Sequence, residues 1–223
     1  QAIPSWKSAL SSVAGVYLDS NFVGWSTDSR LPAEFDLTPW LVPGKEHLLC
    51  VLVIRYSAFS YVEDQDHWWM AGIYRSVNLI STDQVWFEDI FAKTAYKPKK
   101  KVGHLDLNIQ LGLSGAPGRK CVVHVQLEDP HGKTLWKKPL KQSVDGTSYR
   151  TDGFVAEFYE TVEECLAWSA EQPHLYKLHL ELRDEERGKL IEATCIRIGF
   201  KSVKIKKGQM LFNGQPILIK GVN

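Results

Sequence analysis

The chain has 223 residues, of which 44% are hydrophobic and 24% are charged, and this composition is that of an ordinary globular protein with one or two domains. Lys and Arg number 27 against 26 Asp and Glu, so the net charge of +1 excludes a general basic surface for nucleic acid. No run of about 18 apolar residues and no signal-peptide pattern occurs, so we expect a soluble protein that does not bind membranes.

Strand signals dominate the N-terminal part of the chain. Val16–Leu18 and Phe22–Trp25 flank the turn residues Asp19–Asn21, which predicts a β-hairpin. A second turn at Pro43–Gly44 leads into a strand from His47 to Tyr56. Because that strand is apolar on both faces, we expect it in the middle of a β-sandwich and not at a solvated edge.

The middle of the chain alternates between apolar and polar residues. Leu105–Leu113 and Cys121–Leu127 have the period of half-buried strands, and the turn Asp129–Gly132 ends the second run. Leu178–Leu182 and Leu190–Ile198 supply two further strands. Short strands separated by turns predict a seven-stranded immunoglobulin-like β-sandwich.

These patterns divide the chain into three regions. We assign residues 1–91 to a first sandwich, residues 92–202 to the immunoglobulin-like sandwich and residues 203–223 to the start of a third domain. The third region begins with a hairpin around an Asn213–Gly214 turn, and its second arm has the apolar pattern of a strand buried on both faces. Val162–Trp168 is a short helix candidate. The first residue is not Met and the last apolar strand has nothing to pair with, so both ends look cut.

Cysteine and tryptophan usage points to packing. The four cysteines are far apart in the sequence and form no Cys-x-x-Cys pair, which argues against a zinc site. They are Cys50, Cys121, Cys165 and Cys195. We expect buried free thiols in a reducing compartment, and therefore a cytoplasmic protein. Five tryptophans in strand or packing contexts are predicted to belong to the core: Trp25, Trp40, Trp86, Trp136 and Trp168.

The segment Ser60–Arg75 combines three carboxylates, a histidine, two tryptophans and a turn glycine between two predicted strands. Aromatic rings suit the apolar C–H faces of a pyranose, and carboxylates bind sugar hydroxyls or a hard cation. A solvated turn between strands has a similar composition. The residues of this segment alone therefore leave a sugar site and a plain turn open.

Four motifs follow one another along the chain. They are Asp28–Leu37, Glu63–Arg75, Leu166–Tyr176, and Gly199–Lys201 together with Phe212–Asn223. In this order and spacing they resemble signatures of the β-galactosidases of glycoside hydrolase family 2. The first resembles the signature of the family's sugar-binding jelly-roll domain and the second its substrate loop. The third resembles a segment of its immunoglobulin-like domain, and the fourth resembles the start of its catalytic TIM barrel.

The resemblance implies an all-β chain. It would comprise part of a galactose-binding-like jelly-roll sandwich, an immunoglobulin-like β-sandwich, and the first strand of a truncated TIM barrel. The activity implied is that of a retaining β-galactosidase acting on terminal β-galactosides such as lactose, in a parent enzyme that is a homo-oligomer. The family's catalytic glutamates lie on barrel strands that would follow Asn223. We therefore predict no catalytic residue in this chain, and an inactive fragment.

Within the loop, the resemblance gives a specific role to Asp66. Its carboxylate would bind galactosyl hydroxyls and help to ligate a sodium ion. For Trp68, a sugar platform and a place in the loop core have equal weight. Glu63 and Asp64 are expected to hydrogen-bond locally or to face solvent. The full-length family enzyme also uses magnesium, whose ligands would lie beyond the chain.

In the first domain, one turn departs from the family pattern and one charged cluster has two interpretations. Asp19–Ser20 stands where the family usually has Asn-Gly, so we expect a weaker type I′ turn that costs stability and not chemistry. Arg30, Glu34 and Asp36 form a charged cluster that could contact sugar, but an Arg–carboxylate pair that pins the loop is the favoured interpretation.

Two other functions are compatible with the chain. A stand-alone carbohydrate-binding module would bind galactose without hydrolysing it, and a structural or interaction module would bind no sugar, as many β-sandwiches do not. The segment Ser60–Arg75, called the acidic aromatic loop from here on, counts against the structural module, because a scaffold does not need its cluster of carboxylates and aromatic rings.

Overall fold

The structure is a computed structural model, and it falls into two compact units, Gln1–Gln84 and Val85–Asn223. The part of the chain that it describes comprises residues 3–11, 13–28, 31–58, 62, 72–114, 120–144, 154–219 and 221, with the backbone alone for residues 3–11. None of these residues belongs to a helix that is long and apolar enough to cross a bilayer.

In its described residues, the first unit contains seven strands in two sheets and a short 3-10 helix. In chain order the elements are β1 (Ile3–Ser11), β2 (Val13–Leu18), β3 (Asn21–Ser26), β4 (Pro32–Asp36), the 3-10 helix (Thr38–Trp40), β5 (Leu49–Ile54), β6 (Gly72–Ile73) and β7 (Asn78–Thr82). One sheet has the order β3-β2-β5, and the other is built on β1, which pairs antiparallel with β4, β6 and β7.

The core of the first unit lies between these sheets. Ala14, Val16 and Leu18 project from β2, and they cluster with Ala33 and Phe35 from β4 and with Leu37. Alternate residues of β2 and β4 are buried because each strand turns one face toward the other sheet. The predicted first hairpin is confirmed, since Asp19 and Ser20 both have positive φ, of 48° and 69°, as a type I′ turn requires.

The apolar strand β5 does not lie where its composition predicted. In the described residues it pairs with β2 alone, so it forms one end of its sheet and not the middle of a sandwich. Its residues alternate between half-buried and exposed, and Leu52 is 50% exposed. The prediction failed because a run of apolar residues does not show whether a second layer covers both faces of the strand.

The second unit confirms the immunoglobulin-like sandwich. Seven strands form two antiparallel sheets, of order β12-β9-β8 and β11-β10-β13-β14. Their bounds are β8 (Val85–Lys97), β9 (Val102–Leu113), β10 (Cys121–Glu128), β11 (Leu140–Val144), β12 (Phe154–Val162), β13 (Tyr176–Asp184) and β14 (Leu190–Ile198). Because β8 begins at Val85, the sandwich starts upstream of residue 92.

Alternation builds the core of this sandwich. The inward residues of β9 meet those of β10 and β13, and all are buried: Leu105, Leu107, Ile109, Cys121, Val123, Val125, Leu178, Leu180 and Leu182. The predicted turn at Asp129 is also present, because its carboxylate accepts hydrogen bonds from the amides of His131 and Lys133, at 2.9 Å each.

The helix candidate Val162–Trp168 is wrong. Val162 ends β12, and Glu164 follows in the left-handed region with φ of 46°, which breaks any helix at that point. Cys165 is buried beneath this turn, so packing decides the local structure. The outcome for the other thiols is mixed: Cys121 is buried as predicted, while Cys50 and Cys195 are exposed.

The C-terminal hairpin is confirmed. β15 (Val203–Lys206), β16 (Gln209–Phe212) and β17 (Gln215–Pro216) form a small sheet, and Asn213 and Gly214 have the positive φ values of a type I′ turn. The apolar residues that follow, Ile217–Ile219, are exposed and belong to no strand. Their place in a barrel strand stays a prediction.

The tryptophans are less buried than predicted. Trp40 and Trp136 pack against the two cores as half-buried residues, while Trp25 is 49% exposed. A Cβ atom added to Gly15 would lie 2.6 Å from one ring atom of Trp25 and 3.0 Å from each of its two neighbours. These distances fit an indole ring that lies face-on over Gly15. Trp25 therefore covers the backbone of β2 on the outer face of the sheet.

Candidate functional site

The acidic aromatic loop connects the two sheets of the first unit. It leaves β5 after Ile54 and returns at β6, where Gly72 and Ile73 pair with Ser11 and Leu10 of β1. Gly72 has φ of 85°, a conformation that glycine adopts without strain. Residues 59–61 and 63–71 lie outside the described part of the chain, and with them the predicted ligands Asp66 and Trp68, as well as Glu63 and Asp64.

The two ends of the loop carry matching side-chain pairs. The guanidinium of Arg55 lies 5.0 Å from the centroid of the Tyr56 ring, and that of Arg75 lies 5.6 Å from the Tyr74 ring. Both distances are within the range of a cation–π contact. Each pair places an aromatic ring and a cation together at one end of the loop.

The first motif has a structural role in the described residues. The Asp28 carboxylate accepts a hydrogen bond from the amide of Leu31 at 2.9 Å, and the Asp36 carboxylate accepts one from the amide of Thr38 at 2.9 Å. Both are local turn contacts of the kind that Asp makes with the backbone two or three residues ahead. Asp36 therefore fits the favoured structural interpretation. Arg30 lies outside the described residues, so the predicted ion pair stays a prediction.

The third and fourth motifs meet at Trp168. The side-chain amide of Asn213 donates to the carbonyl oxygen of Trp168 at 2.9 Å, and the Asn213 side-chain oxygen accepts from the amide of Ser202 at 2.8 Å. The Lys201 ammonium lies 5.0 Å from the centroid of the Trp168 ring, and Phe212 packs edge-on with a centroid distance of 6.0 Å. The hairpin that begins the third region is thus fastened to the immunoglobulin-like sandwich.

Behind Trp168, the third motif is anchored in the core. The Tyr176 hydroxyl accepts a hydrogen bond from the amide of Leu166 at 2.9 Å, and its ring packs edge-on against Phe200 at 5.0 Å. Burial raises the pKa of the Tyr176 hydroxyl and of the nearby Cys165 thiol, so both stay neutral at physiological pH. Neither group has the environment of a nucleophile, and their role is packing.

Composition and spacing did not predict one polar junction in the first unit. Asp19, at the tip of the first hairpin, accepts a hydrogen bond from the amide of Leu48 at 2.8 Å and pairs with Nδ1 of His47. The Leu48 amide and then His47 lower the pKa of Asp19, and Asp19 in turn raises that of His47. An aspartate at a turn position that tolerates positive φ is a weak sequence signal for such a contact, because its partners lie 28 and 29 residues away.

Metal ligands do not cluster in the described part of the chain. No group of three or more His, Cys, Asp or Glu side chains there could hold an ion. Asp66, the one sodium ligand that the resemblance implies in this chain, lies outside the described residues.

Two protein-family models match the chain and show to which family it belongs. The model of the sugar-binding domain of glycosyl hydrolases family 2 matches residues 7–83, and the model named for glycosyl hydrolases family 2 matches residues 85–201. The chain belongs to glycosyl hydrolase family 2. Each match lies within one of the two compact units, Gln1–Gln84 and Val85–Asn223.

Curated relatives of this family-2 chain are named β-galactosidases. That of Alteromonas mediterranea is 38% identical over 214 residues, and that of Aeromonas hydrophila is 40% identical over 210 residues. Each alignment covers 93% of the chain and 20% of the relative. The chain therefore spans about a fifth of the length of these relatives, and the resemblance to the β-galactosidases of family 2 is confirmed.

Solved structures confirm the fold. A β-glucuronidase of Bacteroides uniformis superposes with a TM-score of 0.83, covering 99% of the chain and 27% of that protein, at 19% identity. A family-2 member from Bacteroides cellulosilyticus superposes with a TM-score of 0.80 over 99% of the chain and 29% of that protein, at 20% identity. At this level of identity the likeness concerns architecture alone.

Proposed function

We propose that this chain is the sugar-binding and immunoglobulin-like portion of a β-galactosidase that hydrolyses terminal, non-reducing β-D-galactosides such as lactose, with retention. The observation that carries the proposal is the 35–40% identity, across 93% of the chain, to relatives named β-galactosidase. The β-glucuronidases among the structural neighbours are 18–19% identical and support only the shared fold.

On this proposal the chain supports catalysis without performing it. A retaining glycosidase needs two carboxyl groups about 5–5.5 Å apart, one as nucleophile and the other as acid and then base. We place neither group in the 223 residues, since the resemblance puts both glutamates on barrel strands beyond Asn223. The isolated chain should therefore show no turnover of a nitrophenyl β-galactoside above the uncatalysed background. Turnover well above background would contradict this part of the proposal.

Asp66 is the residue that we propose to contact substrate. Its carboxylate would accept hydrogen bonds from galactosyl hydroxyls and share its oxygens with a sodium ion, because hard cations prefer oxygen ligands. Trp68 would either stack on the sugar or close the loop core. Magnesium, which the resemblance implies for the full-length enzyme, would bind outside this chain. The segment runs from β5 to β6, so a strand precedes it and a strand follows it, which suits a loop that must present one carboxylate.

The setting of the parent enzyme is also part of the proposal. We expect a cytoplasmic homo-oligomer that acts on a soluble galactoside and binds neither nucleic acid nor membrane. The near-zero net charge supports the absence of a nucleic-acid surface.

A second candidate is a stand-alone carbohydrate-binding module, which the match to the family's sugar-binding domain over residues 7–83 favours. NMR titration of the isolated chain with galactose separates it from the enzyme portion. A module that functions alone should show saturable shifts at millimolar sugar. An enzyme portion whose subsite is completed elsewhere should show none, and absence of binding would remove the module.

A further inference from the structure

The junction around His47 contains two alternative hydrogen-bond partners for one ring nitrogen. Nε2 of His47 lies 3.0 Å from the amide nitrogen of Val42 and 3.1 Å from the carbonyl oxygen of the same residue. The first contact requires Nε2 to accept a proton and the second requires it to donate one. The two bonds therefore cannot form in the same protonation state.

The other ring nitrogen, Nδ1, has the same partner in both protonation states. Nδ1 faces the Asp19 carboxylate, which when ionised only accepts hydrogen bonds, so Nδ1 carries a proton whether the ring is neutral or charged. In the neutral ring Nε2 is then bare and accepts from the Val42 amide. In the charged ring Nε2 carries a proton and donates to the Val42 carbonyl oxygen. Protonation thus determines which backbone group is bonded.

The surroundings allow this exchange without opening the junction. Asp19 is fixed by two backbone bonds to Leu48, with its carboxylate accepting at 2.8 Å and its amide donating at 3.0 Å. The Val42 carbonyl also accepts from the Lys45 amide at 3.2 Å, and a carbonyl oxygen has a second lone pair for the charged imidazole. The side chain of His47 is 12% exposed, whereas Val42 is 46% exposed, so the exchange takes place at the protein surface with most of the ring covered.

We propose that His47 is a proton-operated switch that exchanges the Val42 amide for the Val42 carbonyl when it takes up a proton, while Asp19 holds the ring in both states. The Val42–His47 loop therefore stays attached to the first hairpin on either side of the titration. The charged groups that act on the ring are Asp19, from the hairpin turn, and Lys45, from the loop itself. The start of β5, and hence the strand that leads into the acidic aromatic loop, keeps its place through the pH range in which His47 titrates.

The switch makes a residue-specific prediction for NMR on the whole 223-residue chain. The amide shift of Val42 should titrate with the same midpoint as the His47 ring, and that midpoint should lie above the ordinary histidine value of about 6.5. Below the midpoint the Val42 amide loses its acceptor. Its hydrogen exchange, corrected for intrinsic pH dependence, should then accelerate by roughly five- to tenfold, the factor that one net hydrogen bond supplies. The Leu48 amide should stay protected throughout.

Three variants test the mechanism. Asp19→Asn keeps an oxygen for the Leu48 amide but removes the charge, so the His47 midpoint should fall. His47→Gln keeps a donor and an acceptor but does not titrate, so the Val42 shift should become flat with pH. Glu46→Gln removes a neighbouring carboxylate that is not among the ring's partners in the described structure, and it should leave the midpoint unchanged.

Two results would overturn the proposal. One is a Val42 amide whose shift and exchange do not follow the His47 titration in the wild type. The other is simultaneous loss of protection at Val42 and Leu48, which would mean that protonation opens the junction. The amides of β2, including Val16, report whether each variant is folded, so a failed fold cannot be mistaken for a failed switch.

Discussion

The side-chain amide of Asn213 donates a hydrogen bond to the main-chain carbonyl of Trp168 across 45 residues of sequence. Asn213 occupies a turn position with φ of 49°, so the same residue closes the C-terminal hairpin and attaches it to the immunoglobulin-like sandwich. Gly199 lies directly beneath Trp168, where an added Cβ would be 2.9 Å from the tryptophan side chain. Two separate family motifs therefore form one packed joint.

Replacing Asn213 should weaken this joint. Asn213→Asp keeps the acceptor for Ser202 and tolerates positive φ, but it places a carboxylate oxygen against the Trp168 carbonyl. We expect a loss of about 1–3 kcal/mol in the free energy of unfolding, measured by urea denaturation. Asn213→Gly loses both side-chain hydrogen bonds but adopts the positive φ without strain. Asn213→Ala loses the same two bonds and adds about 1–2 kcal/mol of strain, because alanine disfavours the left-handed conformation. Wild-type stability of Asn213→Asp would show that the bond to Trp168 contributes nothing.

The contact between Gly15 and Trp25 gives a second prediction. Gly15→Ala places a methyl group 2.6 Å from the indole, so the ring must move off β2, at a cost of about 1–3 kcal/mol. The melting temperature and the tryptophan emission spectrum should both change. In the double variant with Trp25→Ala, the clash is gone, so the cost of Gly15→Ala should largely vanish. Additive effects of the two substitutions would contradict the face-on contact.

The pair of Asp19 and His47 predicts a pH dependence of stability. The Asp19 pKa is lowered, so its contribution is present above its ordinary value and is lost as the pH falls through the folded value. The His47 pKa is raised, so its contribution is present below about 6.5 and is lost as the pH rises through the folded value.

The difference in melting temperature between wild type and Asp19→Asn should therefore be largest between about pH 4 and 6.5. It should shrink toward pH 9, where the bond from the Leu48 amide remains. A difference that grows above pH 6.5 would contradict the assignment.

The exposed face of the sheet β3-β2-β5 predicts that fragments of the chain differ in solubility. Phe22, Trp25 and Leu52 are 46%, 49% and 50% exposed on this face. A contiguous apolar surface of this kind promotes association. Residues 1–91 expressed alone should be poorly soluble, whereas residues 85–201, whose core is enclosed by two sheets, should be soluble and melt cooperatively. A soluble, cooperatively melting 1–91 fragment would disprove the first expectation.

The immunoglobulin-like sandwich was predictable because both of its sheets bury one face. A strand in that setting alternates at every second residue, and Leu105–Leu113 and Cys121–Leu127 do so without interruption. The Asn213–Gly214 turn was equally predictable from the sequence, since few residue pairs accept two positive φ angles. Errors arose where tertiary context decides, as at Val162–Trp168, where β12 and a left-handed Glu164 replace the candidate helix.

The candidate site in the acidic aromatic loop was predicted from its residue types and from the family resemblance. Hydrophobic periodicity did not indicate it. The Asp19–His47 junction and the Asn213–Trp168 bond join residues that are far apart in sequence, and the bonded groups meet only because the strands between them fold back. Composition also could not show that Trp25 covers a glycine on the outer face. Local rules predict strands and turns, whereas such contacts depend on register.

The most direct test of the account measures hydrolysis by the protein expressed from the complete gene, with nitrophenyl β-galactoside and nitrophenyl β-glucuronide compared side by side. We expect turnover of the galactoside. We also expect Asp66→Asn to lower kcat/KM by about 10²-fold or more, the scale of a lost charged contact in the transition state. The matched control Asp64→Asn should have little effect. Preference for the glucuronide, or equal activity of wild type and Asp66→Asn, would contradict the account.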